Sequence, residues 1–432
     1  MQQVFSELDA LAVQDAAEPS RDHVSTTFAD NMKLPVHRWF RYSAGFSSDW
    51  VEKVIEANRD LGEITVLDPY VGSGTTLIAS DYQCVRSIGV EAHPFIARVA
   101  EAKLLYRGDP PSFLERSSNL LKVAESIAAS TDHYPDLIQK CYSPANLRQL
   151  DQLRRAWVSL DDGSDESKLS WLALVCILRT VSNAGTAPWQ YILPGRSKRT
   201  ITGSFDAYAT MSSTMANDMA KARVKGKAMS RIITGDARRL DGVDNKSVNL
   251  VITSPPYPNN YDYADATRLE LSFFGEITGY SDLQSTIRQY LVRSCAQHMR
   301  QRTDSVDDII SDPVLEPIRE ELQRVTSELA EIRTSKGGRK SYHLMVAAYF
   351  LDMADQWRSL RRVCASPSEI YFVVGDSAPY GVYVPVVEWN AKLAEAAGFH
   401  SPTFEKTRDR NIKWKNRKHR VPLLEGRFRV SG

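Results

Sequence analysis

Three carboxylates and one glycine turn are spaced as a nucleoside-binding edge requires. In "LDPYVGSGTTLIAS" (67–80), Gly72 and Gly74 stand between an apolar run and a helical pattern. Glycine at such a place permits positive φ and close approach of a ligand to the backbone. The N-terminus of the helix beyond it presents free N–H groups, with Ser73 and Thr75 beside them. Asp68 ends the run before the turn, and Glu91 ends the next run, "RSIGVE", 19 residues beyond Gly72. An acid in that position accepts hydrogen bonds from ribose hydroxyls in dinucleotide-type folds. Asp236, closing "RIITGD" (231–236), is a third acid of the same kind. Each acid taken singly reads as well as a solvated strand end; three of them around one glycine turn point to a site.

A second stretch, "VITSPPYPNN" (251–260), ends an apolar strand in Ser254-Pro255-Pro256-Tyr257. Proline cannot donate to a ladder, and it drives the residue before it out of the helical region. Two in succession stop the sheet and stiffen the turn at a strand's C-terminal edge, where open α/β sheets place ligands. A bare Pro-Pro would be only a terminator, so its meaning depends on the upstream turn. That turn is not a phosphate-binding loop, because Thr75 rather than Lys follows Gly74, and it lacks the third glycine of a dinucleotide fingerprint, Leu77 standing there. A ligand with ribose, adenine and an amino-acid end but no phosphates fits better, and S-adenosylmethionine is such a ligand.

The elements that must position these residues alternate strand and helix. "FSSDWVEKVIEANRDLG" (46–62) predicts a helix capped by Ser47 or Ser48 and stopped by Gly62. Strand 63–68, helix 72–81, strand 86–91 and helix 94–106 follow, the signature of a parallel sheet covered by helices. The pattern lapses over 108–230, which is mainly helical but broken by a loop at 185–200 carrying Trp189, Tyr191, Arg196, Lys198 and Arg199. It resumes at 231–258, lapses again at 259–345, and closes with a helix, a strand (369–377), a helix and two extended segments. Within the second lapse, 313–340 predicts an exposed, highly charged helix ending at Gly337-Gly338 that could pack on a partner. The units are thus an N-terminal arm (1–30), a cofactor-binding half (31–107), a helical insertion (108–230) suited to target recognition, the core segment with the Ser-Pro-Pro-Tyr motif (231–258), a second helical insertion (259–345), and the C-terminal half of the core with a basic tail (346–432).

Composition bounds the rest. The 432 residues are 43% hydrophobic and 25% charged with net charge +1, so no overall field favours nucleic acid or membrane. The five cysteines form no CxxC pair and the eight histidines show no ligand spacing, so no metal is expected, and a reducing, cytoplasmic setting fits. The N-terminus has no signal-peptide pattern and no apolar run is long enough to span a membrane.

"DPYVGSGTT" followed later by "TSPPY" resembles the amino-methyltransferases of DNA, and the Ser-Pro-Pro-Tyr form is most typical of their cytosine-N4 members in restriction-modification systems. "KLPVHRWFRYSAGFSSDWV" (33–51) and "IITGDAR" (232–238) resemble further cofactor-contacting segments of that family. The resemblance covers residues 33–107, 231–270 and about 345–430. It implies a Rossmann-like α/β fold: a seven-stranded, mostly parallel sheet with one antiparallel strand. It also implies S-adenosylmethionine held by Asp68, Tyr70, Gly72, Ser73, Gly74, Thr75, Glu91 and Asp236. Ser254, Pro255, Pro256 and Tyr257 would serve the reaction: the serine side chain and the Pro255 carbonyl accepting from the target amine, the prolines fixing those acceptors, and Tyr257 stacking on a flipped-out base. Double-stranded DNA is the implied partner, with a cognate restriction endonuclease acting separately. The tail "KTRDRNIKWKNRKHR" (406–420) interleaves Trp414 with eight Lys/Arg and supplies candidate phosphate contacts in Lys413, Lys415, Arg417, Lys418 and Arg420. Competing readings are adenine-N6 methylation, an RNA or protein N-methyltransferase, and a non-catalytic nucleic-acid-binding subunit. The oligomeric state and the recognition sequence stay open.

Overall fold

Ten strands are described: β1 (Ala12–Asp15), β2 (Thr65–Asp68), β3 (Arg86–Glu91), β4 (Ala184–Thr186), β5 (Ile192–Ser197), β6 (Ser230–Thr234), β7 (Val248–Thr253), β8 (Cys364–Gly375), β9 (His400–Asp409) and β10 (Leu424–Ser431). They come from a computed structural model that describes residues 12–15, 30–42, 45–187, 191–197, 202–221, 229–259, 261–299, 305–337, 340–409 and 423–432. Eight strands form one sheet in the order β1-β9-β10-β8-β7-β2-β3-β6. β10 runs antiparallel to both β8 and β9, and the other neighbours are parallel. The expected seven-stranded, mostly parallel Rossmann-like sheet with one antiparallel strand is therefore present, and β1, from the segment read as an arm, adds an eighth strand at the edge.

The central strands are continuously apolar because both of their faces are covered. Leu67, Val251, Ile370 and Phe372 face a layer built from the helices Tyr342–Val363 and Val386–Ala396. Val66, Leu250, Ile252 and Val373, one residue out of phase, face the helix Ser48–Ala57 and Ala79 of the helix Thr75–Tyr82. Ser47 is the cap of the first of these helices, accepting from Trp50 N–H at 3.4 Å. From β2 the chain adds β3 and then β6 on one side, whereas β7 joins the other side of β2 and leads to β8. The order reverses between β2 and β7, so the crevice at their C-terminal ends is the topological switch point.

Both lapses in the sequence pattern are helical insertions packed onto this sheet. In the first, the helices Pro110–Ser126, Pro144–Leu160, Asp165–Ile177 and Ser204–Lys221 bury Phe113, Leu150, Leu172 and Met215 in one core with Phe95, Ile96 and Val99 of the helix Pro94–Leu104. Within the stretch 185–200, expected as a loop, the described residues instead include two strands, β4 and β5, that pair antiparallel. In the second insertion, the helix Arg319–Ser335 corrects the expectation of a partner-facing element. Its Leu322, Val325 and Leu329 are buried in the core shared with the helix Tyr342–Val363, so the apolar stripe is already covered by this chain. The tail residues Lys413, Trp414, Lys415, Arg417, Lys418 and Arg420 lie outside the described residues, as do Trp189, Lys198, Arg199 and Asn260. Among the described residues no helix is long and apolar enough to cross a membrane.

Candidate active site

Strand order brings the two sequence motifs side by side. β2 and β7 are neighbours in register Val66↔Leu250 and Leu67↔Val251, which sets Asp68 beside Thr253. The Thr253 hydroxyl donates to Asp68 Oδ1 at 2.5 Å, and the Tyr70 N–H donates to the same oxygen at 3.0 Å. Asp68 is 1% exposed. Burial pushes its carboxyl up to about 6, against the pull of the hydrogen bonds from Thr253, Thr76 and the Tyr70 backbone.

The glycine turn is held by the acid that ends the next strand. Glu91 Oε2 accepts from Gly72 N–H at 2.9 Å and Oε1 from His93 N–H at 2.9 Å. Burial pushes this carboxyl up to about 7, with those backbone donors acting in the opposite direction. Gly72 has φ +51° and Gly74 +90°, conformations that L side chains rarely adopt. A Cβ on Gly72 would also lie 2.8 Å from Cε1 of Tyr42, whose ring covers the turn. Gly74 caps the helix that Thr75 begins, and Thr75 itself is buried. Beneath the turn the fully buried Lys103 ammonium donates to the Ser73 carbonyl at 2.8 Å, and burial pushes its pKa down to about 7. Among the described residues the buried Ser73 hydroxyl has no hydrogen-bond partner. The Tyr70 hydroxyl donates to Gln356 Oε1 at 2.9 Å.

Asp236 differs from the other two acids. Its carboxylate is forked by Arg238, Nη2 lying 2.6 Å from Oδ2 and Nε 2.9 Å from Oδ1, and Arg238 reaches Asp352 at 3.3 Å as well. One pocket nevertheless joins the two strand ends, although Asp68 and residues 72–75 are not among those that line it. It is lined by Tyr70, Glu91 and Asp236 on the glycine-turn side and by Ser254 and Pro256 on the other.

At the Ser-Pro-Pro-Tyr turn, the Ser254 hydroxyl donates to the Val373 carbonyl of β8 at 3.0 Å. Because its proton is committed there, the oxygen presents lone pairs in the remaining directions. Pro255 is buried and Pro256 partly so. Tyr257 is 9% exposed, belongs to the core around β7 and the helix Tyr342–Val363, and does not line the pocket. The aromatic faces that do are Tyr42, Tyr70, Tyr263 and Tyr290, the last 48% exposed.

Sequence reasoning missed Tyr42, His93 and the wall Tyr290–Val292, which also line the pocket. His93 has a readable signal, because it stands two residues after the strand-end acid and directly before the helix-starting Pro94. It is fully buried, bonded through Nε2 to Thr267 Oγ1 at 2.8 Å, and burial pushes it down to about 3, so it is neutral. Lys103 had a signal too, as a cation on the buried stripe of the helix Pro94–Leu104. The wall 290–292 had none. It is positioned by buried ion pairs between distant segments, Arg288 to Asp262 at 2.9 Å and Arg293 to Asp352 at 2.9 Å.

Comparison with known proteins returns a single class. A family model described as DNA methylase matches residues 5–102. The Type II methyltransferase M.BsoBI of Geobacillus stearothermophilus is 23% identical over 421 residues, covering 86% of this chain and 80% of the relative. M.AvaI of Nostoc sp. is 23% identical over 417 residues, with 87% and 81% covered. M.MjaII of Methanocaldococcus jannaschii is 36% identical over 69 residues, 16% of this chain and 13% of that protein. No solved structure gives a significant match. The family that the two motifs resemble is the one these similarities return: the chain is similar to DNA methylases and to Type II methyltransferases.

Proposed function

We propose that this chain is a site-specific DNA methyltransferase that uses S-adenosylmethionine and acts on the exocyclic N4 amine of cytosine in a flipped-out nucleotide. The observation that carries the reading is the hydrogen bond from Thr253 to Asp68, which locks the glycine-turn strand and the Ser-Pro-Pro-Tyr strand together at the switch point. Cytosine rather than adenine is favoured by the serine that opens the motif. The residues present fit the cofactor. Acids end β2 and β3, another stands just beyond β6, and, among the described residues, the buried Ser73 hydroxyl lacks a partner beside a turn that tolerates only glycine. When bound, S-adenosylmethionine supplies an electrophilic methyl group on a sulfonium.

The protein's own part is to make a poor nucleophile a good one. An amine conjugated to a pyrimidine has a delocalised lone pair. Two acceptors on its N–H groups favour a pyramidal nitrogen with the lone pair turned out of the ring plane. Ser254 Oγ is one acceptor, oriented by its bond to Val373, and the Pro255 carbonyl is the second. The prolines hold both without competing as donors, so the dipoles are set before the reaction begins. The surplus proton on nitrogen leaves to solvent. Tyr290, rather than the buried Tyr257, offers an exposed ring at the pocket mouth for the flipped base. The helical insertion 108–230 and the basic tail are the candidates for reading and gripping double-stranded DNA in the cytoplasm, with a restriction endonuclease acting separately.

Nucleoside mass spectrometry on duplex DNA incubated with the protein and methyl-labelled cofactor tests this. N4-methylcytosine that disappears with Ser254→Ala is the expected result. N6-methyladenine would overturn the base assignment, and no methylated nucleoside would overturn the reaction.

A further inference from the structure

Beside the pocket wall, three chemically distinct donors converge without serving the proposed reaction. Asp262, Cys295 and His298 are all buried, and their carboxylate oxygen, thiol sulfur and ring nitrogen lie within 4.8 Å of one another. His298 Nδ1 lies 3.0 Å from the Val292 carbonyl, which can only accept, so Nδ1 carries a proton and Nε2 is the ring nitrogen turned to the cluster. That nitrogen has no hydrogen-bond partner among the described residues and sits 3.6 Å from Asp262 Oδ1. The other carboxylate oxygen, Oδ2, is held by Arg288 through Nε at 2.9 Å and Nη2 at 2.5 Å, so the two oxygens have separate partners. Cys295 and His298 are three positions apart, and the single 3-10 turn Ala296–Met299 brings both to one side.

We propose that Asp262, Cys295 and His298 bind one divalent ion of the zinc class, bracing the segment after the Ser-Pro-Pro-Tyr turn against the segment that carries Tyr290–Val292. One thiolate, one imidazole and one carboxylate form a borderline-soft set that suits zinc and disfavours magnesium or calcium. The imidazole bonded through its far nitrogen to a carbonyl, and the carboxylate held through its far oxygen by Arg288, have the outer-shell support usual for metal ligands. Bonds of about 2.0–2.3 Å to a tetrahedral ion place donors about 3.3–3.8 Å apart, so side-chain closure by roughly 1 Å forms the site and leaves a fourth position for water. Binding requires a thiolate and an unprotonated Nε2, and the protons these groups give up go to solvent.

The test loads the purified full chain with zinc alone, desalts it and measures zinc by elemental mass spectrometry. About one ion per chain is expected, unchanged in Cys84→Ser and falling at least about tenfold in His298→Ala and in Cys295→Ser. Retention of zinc in either of the last two variants would overturn the assignment, as would a folded wild type that binds none. Should those variants fail to fold, cobalt(II) added to the wild type decides. A thiolate-to-cobalt charge-transfer band supports the site, and its absence overturns it.

Discussion

The two sides of the pocket are built by different means. On the glycine-turn side, the two acids are satisfied by uncharged donors, most of them backbone N–H groups. Glu91 binds the backbone of Gly72 and His93, and Asp68 binds the backbone of Tyr70 and the Thr253 hydroxyl on the adjoining strand. On the opposite side, the wall is held by buried ion pairs, Arg288 with Asp262 and Arg293 with Asp352. Acids met by neutral donors are held without a charged partner, whereas the wall depends on charges that are buried only because each has its opposite.

Breaking the wall gives the largest effect on the fold. Arg288→Met leaves the Asp262 carboxylate buried and without its guanidinium, and the pair is only 2% exposed on either side. Removing one partner of such a pair costs about 3–5 kcal/mol, so chemical denaturation should find the variant that much less stable. Ser254→Ala separates chemistry from architecture. Loss of one preorganised partner of the amine should lower the rate of methylation by about 10²–10³-fold, with cofactor affinity and unfolding midpoint nearly unchanged. Tyr290→Ala should leave stability within about 0.5 kcal/mol because the ring is exposed, and weaken binding of DNA bearing a flipped base by about 1–3 kcal/mol, measurable by titration.

The smallest and most informative effect is the pH dependence of the glycine-turn side. Glu91 is raised to about 7 by burial, so the folded protein binds a proton that the unfolded chain has released above its ordinary carboxylate range. Its contribution to stability is thus full at low pH and is lost as pH rises through about 7. Cofactor affinity moves the other way, since only the ionised carboxylate accepts fully from ribose hydroxyls. Calorimetric titration should show affinity rising from pH 6 to pH 8. Glu91→Gln should remove the inflection near 7 and leave the weaker one near 6 that belongs to Asp68. A flat wild-type profile would mean that Glu91 does not meet the ligand.

What could be read in advance was marked locally. β3, β7 and the helices after β2 and β3 were legible because apolar runs, acids and glycines mark them within a few residues. Ser254 was legible as a residue type at a strand end. Its orientation was not, because it depends on Val373, 119 residues away on β8. Tyr257 misled because a tyrosine after Pro-Pro reads as a stacking face, yet the turn points it into the core shared with the helix Tyr342–Val363. The charged helix Arg319–Ser335 misled for a related reason: its sequence reveals an apolar stripe but not which surface covers it. The pair β4 and β5 was missed because its short strands carry Pro and Gly, which argue against a ladder.

The measurement that tests the central claim most directly is single-turnover methylation of duplex DNA by Ser254→Ala beside the wild type, with cofactor affinity measured on the same samples. The division of labour between the two strand ends predicts unchanged cofactor affinity and a chemical step slower by about 10²–10³-fold. An unchanged chemical step would contradict it, because Ser254 would then hold nothing in the transition state.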